Sequence, residues 1–325
     1  MRIGTCVIDG RPEPVVFDPA GRAVPVGDLV GGPGLYGVLT LIERWDDLRP
    51  RLARALGTDR SPAATSVAEI DRLGAWLPPV PRPGKILGVG FNSPVFAAFA
   101  SSVPDHPPFF SSPGSALVGH RQPIRLRPSF GLVHPEPELA VVIGRQGTRI
   151  DPAEALDHVF GYTLIDDVSA PGLRAGDTVV VPGSMAGELD RRHSGRPRAA
   201  SGFEHGDMRV TYHLRAKGTD SFKPCGPWIV TRDEIPDPDR LGITLATGDD
   251  VRIECRTERL IYSVAEVIAH ASDHHTLFPG DIIHVGTDIT GTHTLREIDY
   301  QHRIGATRTI ECEAIGTLVN EIRTV

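Results

Sequence analysis

The sequence lacks several features that would assign a chain quickly to a class. Its 325 residues contain only four cysteines (Cys6, Cys225, Cys255 and Cys312), widely spaced and without a CxxC pair. This spacing predicts buried thiols rather than a disulfide framework or a cysteine metal site. The longest apolar runs, such as LAVVI at 139–143, are far too short to cross a bilayer. The N-terminus has no apolar signal core, so we expect a cytoplasmic protein.

Strong charge of one sign is also missing. The net charge is −7 and the pI about 6.0, and no long run of Lys or Arg occurs. We therefore expect neither a nucleic-acid partner nor a membrane partner. What the chain does have is an excess of turn-forming residues, 35 Gly and 29 Pro. These residues divide it into short segments, which favours many short strands over long helices.

The proline-rich stretch LPPVPRPGK at 77–85 is the clearest domain boundary. We expect a small N-terminal domain over 1–80 and a catalytic domain over 81–325. Before the boundary, the pattern predicts a hairpin over 1–17 and a helix over 35–57 that Pro50 must kink or split. After it, predicted strands lie at 85–90, 138–144, 159–167, 209–216, 227–231, 241–246, 252–256, 281–285 and 308–315. Predicted helices lie at 94–101, 152–158 and 263–271, which gives a β-rich α+β fold.

One long segment lies between the predicted strands at 159–167 and 209–216. Residues 171–207 carry mixed charge and no periodicity. A loop of this length in a compact domain is commonly a lid over a site or is disordered. We expect this segment to form a mobile cover near the active site.

Three carboxylates are the strongest candidates for chemistry. Glu136 and Glu138 are two residues apart at the start of a strand, so both side chains project from the same face. Asp167 follows an apolar strand and lies 29 residues after Glu138, which leaves room for a turn, a helix and a returning strand. Three carboxylates suit a hard ion such as Mg²⁺, Mn²⁺ or Ca²⁺. A solvated strand end and a turn cap are the simpler interpretations of each motif alone.

Two further motifs could contact an anionic substrate. In KGTDSFKPCGPWIVT at 217–231, Lys217 could pair with a carboxylate or an enolate, and Asp220 could hold its ammonium group in place. In FPGDIIHVGTD at 278–288, Gly286 and Thr287 could offer backbone N–H groups and a hydroxyl. Taken singly, these motifs are equally consistent with a surface turn and an ordinary strand.

The order and spacing of these motifs resemble the fumarylacetoacetate hydrolase family. The catalytic domain of that family carries an ExEL-VVIG glutamate pair, then GYT-DVS, then K-D-F-PxGPWIVT, then PGD-I-GT, and the resemblance covers roughly 83–322. It implies the family's mixed β-sheet roll or sandwich and a homodimer. It also implies a divalent ion, Mg²⁺ first, held by Glu136, Glu138 and Asp167. The family's active-site lysine matches Lys217 and its anion-binding threonine matches Thr287.

The chain departs from that pattern around the substrate. Hydrolytic and decarboxylating members usually carry a histidine and a glutamate on a short lid helix, where this chain has Phe96 and Phe99. The acid usual two residues before the first ligand is His134, and either Lys217 or His134 is the candidate proton carrier. The arginine usual after DVSA is Pro171, although Arg174 lies close enough to substitute. These changes favour an apolar substrate body, or a step that needs only enolisation.

The resemblance implies a metal-dependent enzyme that acts on a small β-dicarbonyl compound or 2-oxo acid. Three alternatives stay open beside C–C bond hydrolysis. The scaffold could serve a tautomerase, a decarboxylase or a cyclase, and it could also serve a metal-binding protein without catalysis. Two other signals are set aside: Gly88-Val-Gly90 lacks the third glycine of a dinucleotide fingerprint, and His270 with His274 lacks an HExxH motif.

Overall fold

A computed structural model of the chain describes residues 1–31, 37–57, 64–98, 100, 103–183, 185, 207–248, 251–288 and 297–325. Its first strands are β1 (Arg2–Ile8), β2 (Arg11–Phe17), β3 (Arg22–Pro25), β4 (Thr65–Ser66), β5 (Ile86–Val89), β6 (Phe109–Ser112), β7 (Leu117–Val118), β8 (Ile124–Leu126) and β9 (Pro137–Ile143). The remaining strands are β10 (Val159–Asp166), β11 (Thr178–Val181), β12 (Met208–Thr211), β13 (Lys223–Thr231), β14 (Gly242–Thr247), β15 (Val251–Arg256), β16 (Ile282–His284), β17 (Thr307–Cys312) and β18 (Gly316–Thr324).

The helices are short. The α-helices are α1 (Val26–Val30), α2 (Val38–Glu43), α3 (Trp45–Leu56), α4 (Val67–Leu73), α5 (Pro94–Ala97), α6 (Pro171–Gly176), α7 (Leu214–Gly218) and α8 (Val264–His274). Single 3₁₀ turns lie at Gly114–Ala116, Pro128–Phe130, Ala155–His158, Arg232–Glu234, Pro238–Arg240, Thr257–Arg259 and Tyr300–Arg303. The predicted β-rich α+β fold is confirmed.

Eleven strands form one large sheet in the order β4-β3-β2-β1-β13-β10-β9-β16-β5-β6, with β7 beside β13. Its neighbours are antiparallel except for β16 with β5 and β13 with β7. A second sheet has the order β15-β14-β17-β18-β8, and β11 pairs with β12 in a separate two-stranded sheet. The two larger sheets match the mixed-sheet roll that the family resemblance implies.

The main core lies between one face of the large sheet, the second sheet and α8. Alternate residues of β9, such as Leu139 and Val141, point into this core together with Leu245 of the second sheet and Val267 of α8. The opposite face of the large sheet is covered by α1, α2 and α3. Because β9 is buried on both faces, a carboxylate at its start loses its water contacts, and this is costly unless a partner of opposite charge compensates.

The N-terminal hairpin over 1–17 is confirmed, and β1 pairs with β13 of the large sheet. This pairing joins the N-terminal strands to the same sheet as the carboxylates, and the division at residue 80 stays a prediction. The helix expected over 35–57 is interrupted at Arg44, between α2 and α3, and not at Pro50, which lies inside α3. Residues 35 and 36 of that region lie outside the described ranges.

Two predicted elements were wrong in type. The strand expected over 209–216 ends at Thr211, and α7 follows it, burying Ala216 and turning Lys217 towards the carboxylates. The helix expected over 152–158 is a turn followed by a 3₁₀ helix, with Asp151 accepting a hydrogen bond from the Ala153 N–H at 2.9 Å. The helical turn has no side-chain N-cap hydrogen bond, whereas the seven-residue α4 is capped by Ser66, which accepts from the Glu69 N–H.

The expected cover over 171–207 contains α6 and β11, and its residues 184 and 186–206 lie outside the described ranges. The four cysteines are free and buried, as predicted. Burial raises the pKa of the Cys6, Cys225 and Cys255 thiols to about 12. Among the described residues, none of the helices combines the length and the apolar character needed to span a membrane.

Candidate metal centre

Antiparallel pairing of β9 with β10 brings the predicted carboxylates together. Glu138 lies opposite Ile165, and the ladder continues beyond the strand end, where the Asp167 N–H donates to the Glu136 carbonyl oxygen at 2.8 Å. Asp167 is thus placed beside the glutamate pair by the chain reversal between the two strands. Both Glu138 and Asp167 are 1% exposed, so their charges are removed from water.

The described residues contain one group of side chains that could hold a metal ion, formed by Glu138, Asp167 and His284. One ligand atom from each lies within 4.8 Å of the others. Glu138 Oε1 is buried without a hydrogen-bond partner, whereas Asp167 Oδ1 lies 2.5 Å from the Lys223 ammonium. Buried polar atoms are normally satisfied, so an open carboxylate oxygen beside a second carboxylate fits a cation.

His284 reaches this group because the neighbouring strand offers no side chain. It pairs with Ala140 of β9 on one side and with Gly88 of β5 on the other, so its ring lies over Gly88. A Cβ at Gly88 would lie 2.5 Å from His284 Nε2 and 2.3 Å from Phe110 Cζ. Gly88, which formed part of the rejected dinucleotide signal, therefore provides the space for His284 and Phe110.

Two lysines neutralise part of the acidic charge. Lys217 Nζ donates to Glu136 Oε2 at 2.7 Å and to Asp167 Oδ2 at 2.6 Å. Lys223, fully buried, places Nζ 2.5 Å from Asp167 Oδ1. Together with Glu138, the cluster holds three carboxylates and two ammonium groups.

The pKa values of these groups follow from burial and pairing. Burial alone would raise the pKa of Asp167, but the charges of Lys217 and Lys223 outweigh it and hold that pKa below its usual range. Burial opposes the charge of Lys217, yet Asp167 and Glu136 outweigh burial and raise its pKa. For Lys223 burial prevails and lowers the pKa, and for Glu138 burial raises it. Lys217 is therefore an ammonium ion at neutral pH.

Glu136 is oriented differently from the other two carboxylates. Its Oε2 accepts from Lys217, and its Oε1 lies 3.7 Å from Nδ1 of the buried His134. Glu136 is not part of the Glu138, Asp167 and His284 group, so its predicted role as a metal ligand stays a prediction. His134 is held by two backbone hydrogen bonds to Ser169, both 2.9 Å long.

Asp166 and Asp167 have separate tasks. Asp166 Oδ1 accepts from the Glu136 N–H at 2.8 Å, and Asp166 Oδ2 accepts from the Tyr300 hydroxyl at 2.8 Å. The buried Arg308 guanidinium lies 3.3 Å from the same Oδ2. Asp166 thus holds the end of β9 beside Glu136 in place, while Asp167 contacts Lys217 and Lys223.

The other three expected site residues, Gly286, Thr287 and Asp220, differ in what they contact around the candidate metal centre. The Gly286 N–H donates to Glu138 Oε2 at 2.6 Å, so it orients the carboxylate. Thr287 is buried, with its hydroxyl 3.6 Å from Cys255 Sγ. Asp220 is exposed, while the described contacts to the Lys217 ammonium come from Glu136 and Asp167. The roles expected for these three residues stay predictions.

Arg174, Phe96 and Phe99 are the residues expected on the substrate side of the site. Arg174 is exposed on α6. The pKa of His213 is lowered, first by burial and then by the charges of Arg174 and Lys217. Phe99 and the side chain of Phe96 lie outside the described part of the chain. Their expected place on the lid stays a prediction.

Sequence reasoning missed Lys223 and His284. Each is an ionisable residue inside an otherwise apolar strand, in KPCGPWIV and in DIIHVG. Buried strand positions rarely carry Lys or His unless a partner compensates for the burial. That rule was the available signal, and both residues prove to contact the predicted carboxylates.

Three comparisons with known proteins bear on this site. The family model of the fumarylacetoacetate (FAA) hydrolase C-terminal region matches residues 85–323. A protein from Mycobacterium tuberculosis is 33% identical over 239 residues, covering 73% of this chain and 75% of the relative. The mitochondrial oxaloacetate tautomerase of Bos taurus is 32% identical over 248 residues, covering 76% and 69%. Maleylpyruvate hydrolase from a Sphingobium species, solved with manganese(II) and pyruvate, matches with a TM-score of 0.70 and 25% identity, covering 100% of this chain and 99% of that one.

Proposed function

Because the chain belongs to the fumarylacetoacetate hydrolase family, we propose that it is a metal-dependent enzyme that acts on a small 2-oxo acid or β-dicarbonyl compound through its enolate. The observation that carries this proposal is the convergence of buried, incompletely satisfied ligand atoms from Glu138, Asp167 and His284. Two relatives support the substrate class: one is an oxaloacetate tautomerase, and the other was solved with pyruvate. Oxaloacetate and pyruvate are both 2-oxo acids.

Glu138 and Asp167 would hold the ion, with Glu136 as the further carboxylate that the family resemblance implies. When bound, a divalent ion supplies positive charge that stabilises an enolate. The three carboxylates outnumber the two ammonium groups of Lys217 and Lys223, which leaves a net negative charge for a cation to balance. The donor set therefore fits a divalent ion.

Lys217 acts as a fixed positive charge in this proposal. Its raised pKa keeps the ammonium protonated at neutral pH, so it donates hydrogen bonds and does not abstract a proton. An ammonium group beside the reacting oxygen favours the enolate over the keto form by electrostatics. His134, which lies beside Glu136, is the candidate proton carrier, and Arg174 the candidate anchor for a substrate carboxylate.

The sequence favours enolisation over hydrolysis. Hydrolysis of a C–C bond needs a group that takes a proton from water, and Phe96 and Phe99 stand where the family places its histidine and glutamate. Tautomerisation needs only proton transfer at carbon and oxygen, which the retained groups can support. We therefore propose tautomerisation of a 2-oxo acid as the main reaction.

A comparison of two substrates tests this proposal. After chelation and reloading with Mg²⁺ or Mn²⁺, the protein should tautomerise oxaloacetate only when the metal is present. Acetylpyruvate hydrolysis should be slower by about 100-fold or more, because general-base catalysis usually contributes about 10²–10⁴-fold.

A Phe96→His, Phe99→Glu double variant should gain hydrolysis. Ordinary rates of acetylpyruvate hydrolysis in the native protein, with no gain in the variant, would contradict the proposed reaction. Metal-independent activity would contradict the metal centre.

Three finer expectations belong to the same proposal. We propose Mg²⁺ as the first ion to test, a homodimer as the working form and the cytoplasm as the location. The first two are supported by the family resemblance, and the third stays an expectation. Static light scattering of the purified chain checks the dimer.

A further inference from the structure

We propose that Lys223 competes with the metal ion for Asp167, so that the site binds divalent ions less tightly than its three carboxylates alone would. This inference rests on the proposed function, because it concerns the same metal centre. It goes beyond the family resemblance, whose K-D-F-PxGPWIVT element leaves the residue at position 223 open. Lys223 is fully buried, so it sets how tightly the ion is held without contacting the substrate.

The surroundings of Lys223 are the first support. This residue begins β13, and its neighbour Phe222 is fully buried as well. Its Nζ contacts three oxygens, which are Asp167 Oδ1 at 2.5 Å, the Phe222 carbonyl at 3.3 Å and the Lys217 carbonyl. An ammonium group has three N–H donors and no acceptor, so three oxygen partners match its charged form. A positive charge therefore lies against Asp167 before any ion binds.

The two oxygens of Asp167 are the second support, because each already contacts an ammonium group. Lys217 Nζ lies 2.6 Å from Oδ2, and Lys223 Nζ lies 2.5 Å from Oδ1. Whichever oxygen the metal ion takes, it must share that oxygen with a lysine. Glu138 differs, since its Oε1 has no hydrogen-bond partner among the described residues. Asp167 is therefore the ligand at which lysine and metal ion compete.

The charge of the cluster gives the direction of the effect. A bound metal requires ionised carboxylates. Three carboxylates and two ammonium groups then leave one net negative charge for the ion, whereas two would remain if Lys223 were neutral. Charges repel more strongly in a buried site than in water, because the effective dielectric constant is lower. Removal of the Lys223 charge should therefore increase the affinity for a divalent ion.

The same lysine stabilises the protein when no ion is bound. Its contact with the Lys217 carbonyl ties the end of α7 to β13, and its contact with Asp167 compensates a buried carboxylate. The two backbone carbonyls also hold the ammonium group in place, so an arriving ion must bind beside it. Lys223 thus lowers metal affinity and raises the stability of the metal-free protein, and the two effects can be measured separately.

Titration calorimetry with Mg²⁺ and Mn²⁺ tests the inference on the native protein and on Lys223→Gln, whose neutral amide can still donate a hydrogen bond. The affinity of the variant for both ions should be higher by about 10-fold or more. Its metal-free form should unfold at a lower urea concentration. A lysine with a purely structural role would lower stability without raising affinity. Lys85→Gln, which neutralises the lysine of a different ion pair with Asp281, should bind both ions as the native protein does.

An affinity in Lys223→Gln that is equal to or below the native value would overturn the inference and leave the proposed function standing. If neither the native protein nor the variant binds an ion, the inference and the proposed function both fail. Should the variant not fold without metal, refolding with Mg²⁺ or Mn²⁺ should restore the native circular dichroism spectrum, because an ion that binds only the folded state stabilises it. No recovery at saturating metal would count against the inference.

Discussion

The Glu138→Gln variant is expected to lose about 100–1,000-fold in metal-dependent turnover, because stabilisation of enolate charge by a metal supplies several kcal/mol. Glu138 is 1% exposed, and its Oε1 has no hydrogen-bond partner. Glutamine keeps the shape and one carbonyl oxygen, so the contacts from the Gly286 N–H and His284 can persist. What it removes is the negative charge, and with it an anionic ligand.

The same variant should fold as well as the native protein when no metal is present. Burial raises the pKa of Glu138, which means that the folded protein disfavours its ionised form. Replacement by a neutral amide removes that unfavourable charge. Urea unfolding of the chelated proteins should give a midpoint equal to or above the native value, and Glu258→Gln on the exposed surface serves as the control. Unchanged turnover in Glu138→Gln would remove Glu138 from the metal centre.

The Asp167→Asn variant is expected to lose stability, by about 3–5 kcal/mol in the metal-free protein, which is typical when one partner of a buried ion pair is removed. Asp167 lies between two lysines, 2.6 Å from Lys217 Nζ and 2.5 Å from Lys223 Nζ. An amide removes the carboxylate with which the buried Lys223 ammonium is paired. The identical chemical change therefore has opposite consequences at Glu138 and at Asp167.

A second substitution separates this charge effect from a general loss of packing. In the Asp167→Asn, Lys223→Met double variant, the uncompensated ammonium is gone, so part of the lost stability should return. The measurement is the free energy of unfolding from urea titration at pH 7 for the native, single and double variants. Asp167 has a lowered pKa, so its contribution is present above the usual carboxyl range and is lost only in strong acid. A single variant as stable as the native protein would show that the two ion pairs contribute little.

The carboxylates could be predicted because their signal is local. Glu136 and Glu138 stand two apart before an apolar strand, and Asp167 ends the next strand, so antiparallel pairing alone brings them together. Period-two alternation and Gly or Pro at the boundaries likewise placed six of the nine strands predicted after residue 84 within one or two residues of their observed ends, although several short strands and β18 were not predicted. These properties depend on a few neighbouring residues and are therefore visible in the sequence.

The contacts made across the sheet could not be predicted in the same way. His284 reaches Glu138 because β16 lies between β9 and β5, and because Gly88 carries no side chain. Lys223 reaches Asp167 because β13 pairs with β10. Both contacts depend on the order of strands in the sheet, which separates partners by tens to more than a hundred residues along the chain. The prediction of a strand where α7 lies was wrong for a related reason. Tertiary contacts of Lys217 and Ala216 outweigh the local propensity there.

Deuterium incorporation tests the central claim most directly, because enolisation exchanges the hydrogen on the carbon beside the 2-oxo group. The protein is incubated in D₂O with 2-oxo acids ranging from pyruvate to oxaloacetate, and the deuterium content is read by mass spectrometry against protein-free solutions with the same metal. We predict rapid incorporation with Mn²⁺ or Mg²⁺, and background incorporation with the chelated protein and with Glu138→Gln. Incorporation that is equally rapid after chelation, or that never exceeds the protein-free background, would contradict the account.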